Sequence, residues 1–146
     1  MILTRRHALA ITLLPVLHTP AARATPEAMA AAISSFVGRG RLQNGRVNIE
    51  LAELVENGNT VPLGLSVQSP MTPTDHVHSL AVFTERNPQP DVAVFYFSPW
   101  SGRARVDTRV RLATSQRVVA VAKMNDGNCW QREFDVIVTL AACVES

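Results

Sequence analysis

The sequence predicts an all-β domain, an immunoglobulin-like antiparallel β-sandwich of about seven strands with a short N-terminal helix and a C-terminal arm. Strand-like runs recur at short intervals: Arg46–Leu51, Thr60–Val67, His76–Phe83, Asp91–Phe97, Ala104–Leu112, Arg117–Met124 and Cys129–Leu140. Turn-forming clusters separate them, among them Glu56-Asn57-Gly58-Asn59, Ser69-Pro70-Met71, Asn87-Pro88-Gln89-Pro90 and Asn125-Asp126-Gly127-Asn128. No second helical pattern, internal repeat or low-complexity segment interrupts the series.

The elements follow in order along the chain. Residues 1–24 read as an export signal. Arg5 and Arg6 form a positive start, Ala8 to Leu17 is an apolar stretch broken by Pro15, and Ala22-Arg23-Ala24 supplies small residues at a cleavage site. The apolar run of about ten residues is half of the roughly 20 that span a bilayer. The paired arginines point to the twin-arginine route, although Ala8 stands where that signal usually has Phe. Export places the mature chain in the periplasm.

Residues 25–140 form the expected sandwich. Thr25, Pro26 and Glu27 suit the start of a helix that Gly38 would end; a loosely packed arm is the alternative reading of 25–37. Residues 39–45 read as loop. Within Ala104–Leu112, Val106, Thr108, Val110 and Leu112 share one face, with Arg105, Asp107, Arg109 and Arg111 on the other. In the final strand, Phe134, Val136, Val138 and Leu140 oppose Glu133 and Asp135.

Loss of the signal removes Arg5, Arg6 and Arg23, leaving 11 basic against 12 acidic residues. A net charge of −1 gives no electrostatic footprint for nucleic acid. Residues 141–146 form a short arm, and it carries Cys143 between Ala141, Ala142 and Val144, Glu145. A thiol at such a position can reach away from its own domain, and in an oxidising compartment an unpaired cysteine calls for a reason. The other cysteine, Cys129, begins the final strand. The eleven residues of that strand from 130 to 140 cover roughly 36 Å when extended, whereas a disulfide needs Cα atoms about 4.4–6.8 Å apart. A Cys129–Cys143 bridge is therefore rejected. Cys129 reads as a small neutral filler at a subunit contact or, less simply, as a second accessible thiol.

Several segments together resemble one family over almost the whole mature chain. They are Glu56-Asn57-Gly58-Asn59-Thr60-Val61-Pro62, Ser69-Pro70-Met71, Val82-Phe83-Thr84-Glu85-Arg86-Asn87-Pro88, Thr108-Arg109-Val110-Arg111-Leu112-Ala113, Gln116-Arg117-Val118-Val119-Ala120-Val121-Ala122 and Asp126-Gly127. In their order and spacing the chain resembles SoxY, the sulfur-carrier subunit of the thiosulfate-oxidising Sox system. The resemblance implies an immunoglobulin-like fold, a periplasmic location, a SoxZ-like partner in a heterodimer, and hand-over among sulfur-metabolising periplasmic enzymes. It also implies covalent carriage of sulfur intermediates on a cysteine near the C-terminus, a position that Cys143 fills. The arm departs from the Gly-Gly-Cys-Gly-Gly of such carriers and looks closer to a related branch reading Ala-Ala-Cys-Ile-Glu. Alanine and valine restrict the backbone where glycine frees it. Glu145 puts negative charge beside the thiol, which opposes thiolate formation and an anionic substrate such as thiosulfate.

The remaining candidates weigh toward structural roles. His76 and His78 lie two apart, but a defined zinc site needs three or four ligands, so a polar face or partner contact is the stronger reading and no metal or other cofactor is expected. The row Arg103, Arg105, Arg109, Arg111 could attract a sulfur oxyanion or an acidic partner; a solvated strand face is the simpler account. Trp100 and Trp130 read as core or interface aromatics. No nucleophile–base pair, phosphate loop or paired carboxylate is present, so the expectation is a carrier without its own turnover. The alternative is an immunoglobulin-like scaffold subunit of a periplasmic complex that carries no sulfur.

Overall fold

The computed structural model describes residues 24–142. Residues 1–23 and 143–146 lie outside the described residues, and with them most of the expected export signal and Cys143, Val144 and Glu145 of the expected arm.

The described chain starts with helix α1, Pro26–Val37. Thr25 keeps an extended backbone and its hydroxyl accepts the Ala28 amide at 3.2 Å, satisfying one of the helix's unpaired first donors. Met29, Ile33 and Val37 recur every fourth residue and bury one stripe, so the segment is a docked helix rather than a loose arm. Gly38 ends it at φ +64°, a region open to glycine at little cost, with its amide on the Ser34 carbonyl. Ala24, the last residue of the expected signal, is buried and donates its amide to the Asn87 carbonyl at 2.9 Å.

Nine strands follow: β1 Leu42–Asn44, β2 Val47–Glu50, β3 Leu54–Asn57, β4 Val61–Val67, β5 Val77–Thr84, β6 Asp91–Tyr96, β7 Ala104–Val110, β8 Gln116–Met124 and β9 Cys129–Leu140. Strands β2 and β4 through β9 are the seven the sequence predicts, with ends shifted by a residue or two. They pack as a sandwich of a larger sheet ordered β1-β9-β8-β5-β6, joined by β3 on β9, and a smaller sheet ordered β2-β4-β7. The mostly β, two-sheet immunoglobulin-like architecture is therefore as the sequence implies.

Two short strands were not expected, and both run parallel to β9 rather than antiparallel. β1, from a segment read as loop, pairs Leu42 with Cys129 and Asn44 with Gln131. β3, partly from a segment read as turn, pairs Leu54 with Ile137 and Asn57 with Leu140. The cause lies in β9: its twelve residues are flanked by β8 on one side, which leaves a long edge on the other. Two short segments cover that edge, supplying partners for backbone groups that would otherwise stay open.

The main core lies between the sheets, where Leu63, Leu65, Val77, Leu80, Leu112 and Val118 are almost fully buried. A second cluster lies on the outer face of the larger sheet, where Met29, Ile33 and Val37 of α1 cover Ala81, Phe83, Val119, Val121 and Cys129. Strand β8 is thus buried on both faces, which is why Val118-Val119-Ala120-Val121-Ala122 is continuously apolar instead of alternating. At the end of α1, Lys123 donates its ammonium to the Phe36 carbonyl and lies 4.8 Å from the centre of the Phe36 ring.

Candidate functional site at the base of the C-terminal arm

The site is built from the last turn of backbone before Cys143. Strand β9 ends at Leu140, where the arm was expected to begin. Its inward stripe holds it in part: Val136 and Val138 are buried, Phe134 is half-buried and Glu133 and Asp135 face solvent, but Leu140, expected on the inward face, is 60% exposed because the strand runs past the end of the core there. The hydrogen bonding continues past the strand. The Gly58 amide donates to the Leu140 carbonyl at 2.9 Å, the Leu112 amide donates to the Gly58 carbonyl at 2.8 Å, and the Ala142 amide donates to the Leu112 carbonyl at 3.3 Å. Ala141 is exposed, but Ala142 is only 3% exposed.

Glycine at position 58 is required by this close approach. A Cβ there would lie 2.2 Å from the Leu112 carbonyl oxygen and 3.1 Å from the Ala142 nitrogen, contacts no alanine could keep. Side chains add to the grip. The Ser115 hydroxyl accepts the Val138 amide at 2.8 Å, and the Thr139 hydroxyl donates to the Glu56 carbonyl at 3.2 Å. Leu54 and Ile137, neighbours across the β3–β9 pairing, both stand 59% exposed on the outer face. An open groove of about 460 Å³ runs along β3, with Leu51, Leu54, Glu56, Thr60 and Pro62 among its walls. The fold therefore pins the chain as far as Ala142; Cys143, Val144 and Glu145 follow outside the described residues.

Cys129 sits at the other end of β9. It is fully buried beneath α1, and its thiol donates weakly to the Gly127 carbonyl at 3.7 Å. Burial pushes the thiol's pKa up; the Lys123 ammonium pulls the other way, and the Asp126 carboxylate adds to the rise. Cys129 is therefore a filler, but within the helix–sheet core rather than at a subunit contact, and it is not an accessible thiol. Cys129 shares strand parity with Glu133 and Asp135, but at its end of β9 that face is covered by α1.

The other candidates separate. His76 bonds through Nδ1 to the Thr72 carbonyl at 3.0 Å, whereas His78 is exposed and meets the Tyr96 ring edge-on at 6.1 Å. The register of β5 shifts between Val77 and Ser79, so the simple two-apart face fails here. Among the described residues no group of three or more His, Cys, Asp or Glu side chains is placed to hold a metal ion.

The arginine row also divides. Arg105 grips Glu50 through two hydrogen bonds, at 2.9 and 3.0 Å, and reaches Asp107 at 2.8 Å. The Arg105 guanidinium holds the Glu50 carboxyl below its ordinary range. Arg103, Arg109 and Arg111 are exposed and form no ion pair with another described residue. Trp130 is half-buried beneath the Arg46 guanidinium at 5.0 Å. Trp100 is no core residue: it stands 95% exposed on the 3₁₀ turn Pro99–Ser101.

With this geometry in hand, the family can be identified. The sequence matches the family described as sulfur oxidation protein SoxY over residues 33–143, a span that reaches Cys143. This chain belongs to the SoxY family. Among solved structures it is similar to the sulfur carrier protein SoxY from Chlorobium limicola f thiosulfatophilum, with 25% identity, a TM-score of 0.66, and coverage of 78% of this chain and 98% of that one. It is also similar in fold to the superoxide reductase (neelaredoxin) from Ignicoccus hospitalis, with 17% identity, a TM-score of 0.58, and coverage of 79% of this chain and 94% of that one. The superoxide reductase from Nanoarchaeum equitans gives 12% identity and a TM-score of 0.54, covering 66% of this chain and 99% of that one. At these identities the superoxide reductases share the sandwich alone. No curated protein matches the sequence. SoxY is a family of sulfur carriers, consistent with the absence of a catalytic signature in the sequence. Among the described residues no helix is long and apolar enough to cross a membrane.

Proposed function

We propose that this protein is a periplasmic SoxY-like carrier that holds a sulfur-containing intermediate covalently on Cys143 and presents it to partner enzymes. One observation carries the reading: the family match runs to Cys143, and that residue directly follows Ala142, whose backbone the sandwich fixes. A tethered cargo need not diffuse free, so each enzyme meets it at high effective concentration. The arm flanked by Ala141, Ala142, Val144 and Glu145 has less backbone freedom than a glycine arm, and Glu145 disfavours the thiolate. An ordinary thiol has a pKa of about 8.5 and only a few per cent is thiolate at neutral pH, so the charging enzyme supplies the activation.

The paired arginines Arg5 and Arg6 support export by the twin-arginine route. That route carries folded proteins, which would let a SoxZ-like partner without a signal cross in the same complex. Intact-mass analysis of protein purified from sulfur-metabolising cells tests the carrier reading. Reducible adducts that disappear in Cys143→Ser are expected. Unmodified thiol alone, together with full physiological function in Cys143→Ser, would leave a scaffold subunit instead.

A further inference from the structure

The sandwich has four lateral edges, and three of them are short or charged. β1 and β3, which share one edge of the larger sheet, have three and four residues, and β2 has four. β7 has seven residues but displays Arg105, Asp107 and Arg109. These are the usual devices that keep an open strand from pairing with another chain. Strand β6, the other edge of the larger sheet, has six residues and one charge, Asp91 at its start. Among the described residues it hydrogen-bonds on one side only, to β5, and after Asp91 it reads Val92-Ala93-Val94-Phe95-Tyr96 without a charge or a proline. Its exposed face carries Val94 at 41% and Tyr96 at 74%, and the next element presents Trp100 at 95%. An open strand, uncharged beyond its first residue and accompanied by exposed aromatics, is what a protein interface displays before its partner arrives.

We infer that the free edge of β6, with Tyr96 and Trp100, docks a partner protein that adds its own strand edge to the larger sheet and carries carboxylates around it. Main-chain hydrogen bonds would extend the sheet, while Trp100 and Tyr96 act as anchors of the kind that dominate binding. Charge selects the occupant. On this side of the sandwich the β6–β7 connection and β7 itself expose Arg103 and Arg109, neither paired with a described carboxylate; the exposed Asp107 is held by Arg105, which leaves Asp91 as the unpaired acid of β6 and β7. Two copies of this chain joined through β6 would therefore set excess positive charge against positive charge. An acidic partner edge meets complementary charge.

The inference rests on the proposed SoxZ-like partner, and the test keeps the two apart. The SoxZ-like subunit is titrated onto the full-length mature chain by calorimetry, alongside Val94→Lys/Tyr96→Lys, Trp100→Ala, and Ile137→Lys as a matched change on the opposite edge. All four substituted side chains are solvent-exposed, and unchanged thermal melts verify the fold. Binding weakened by about 30-fold or more in Trp100→Ala and in the double variant, with Ile137→Lys unchanged, is expected. Equal binding by every variant would overturn the β6 assignment and leave the partner reading intact. No binding by the unaltered chain would overturn both. A homodimer that the double variant dissolves would also overturn it, making a second copy the occupant.

Discussion

Gly58→Ala would strike the junction from which Cys143 departs, and its cost follows from the geometry. At an unconstrained site, replacing glycine by alanine stabilises by about 0.4–1 kcal/mol because the unfolded chain loses freedom. Here the new Cβ would lie 2.2 Å from the Leu112 carbonyl oxygen and 3.1 Å from Val138 Cγ1. The first of these is a backbone atom, so no rotamer change relieves the clash. The Gly58 and Leu112 backbones must separate, and the bonds from Leu112 to Gly58 and from Ala142 to Leu112 stretch or break. Each such bond contributes about 1 kcal/mol, and a buried group left unpaired costs about 1–3 kcal/mol. A net loss of about 2–4 kcal/mol is expected. For a chain of this size that is a fall in melting temperature on the order of 10 °C. Urea unfolding gives the free energy, and amide hydrogen exchange gives its location. Ala142 and Leu112 should lose protection while the β5–β8 ladder keeps it. A Gly58→Ala variant as stable as the parent, with Ala142 still protected, would refute the close-approach argument and the claim that the arm base is pinned.

Further outcomes follow from the charges and thiols. Arg105→Gln should destabilise at neutral pH and matter less in acid. The depressed carboxyl of Glu50 contributes stability above its unfolded value of 4.5 and loses it as pH falls through the lower folded value, so unfolding curves of parent and variant should converge once pH lies below that lowered value. Cys129 should resist a thiol reagent in the folded state and react only after unfolding; a rate equal to that of an exposed thiol would place it outside the helix–sheet core. Because burial raises the Cys129 pKa, the unfolded thiol ionises first, and parent stability should fall above about pH 9 relative to Cys129→Ala. Cys129→Ser should cost about 1–3 kcal/mol by burying a hydroxyl in an apolar cluster, read from urea unfolding.

How much of this was legible depends on the range of the interactions. The alternation of Val106, Thr108 and Val110 with Arg105, Asp107 and Arg109 is local, and β7 follows it from Asp107 to Val110, while Arg105 and Val106 are both half-buried. The uninterrupted apolar run of β8 marks a strand, but its second covered face requires α1, some eighty residues earlier. Strands β1 and β3 have too few residues for any periodicity; each exists because the far edge of β9 needs a partner. Of the two roles expected of Trp100, core or interface, the core one fails for a different reason. Its apolar area predicts burial on average, yet it lies on a short 3₁₀ turn between the two sheets' edges, with no neighbouring layer to cover it. The sequence also marked Cys143 as the reactive candidate, while the clasp behind it, Gly58 against Leu112 and Ala142, depends on three segments that are distant along the chain.

On the carrier reading, that clasp has a consequence for how cargo is handed over. A long free arm would spread its thiol over a large volume, and the local concentration offered to an enzyme falls steeply with tether length. Here the chain is fixed as far as Ala142, and Cys143 is the next residue in sequence. Consecutive Cα atoms are about 3.8 Å apart, so the working radius is short. An enzyme must then bring its active site to the sandwich instead of waiting for the arm to arrive. Docking enzymes should accordingly contact the exposed surface around the anchor, where Leu54 and Ile137 stand side by side. Loosening the anchor by Gly58→Ala should slow loading of Cys143 even where the thiol itself is unchanged. Loading at the parent rate would mean that the arm, and not the sandwich, sets the encounter.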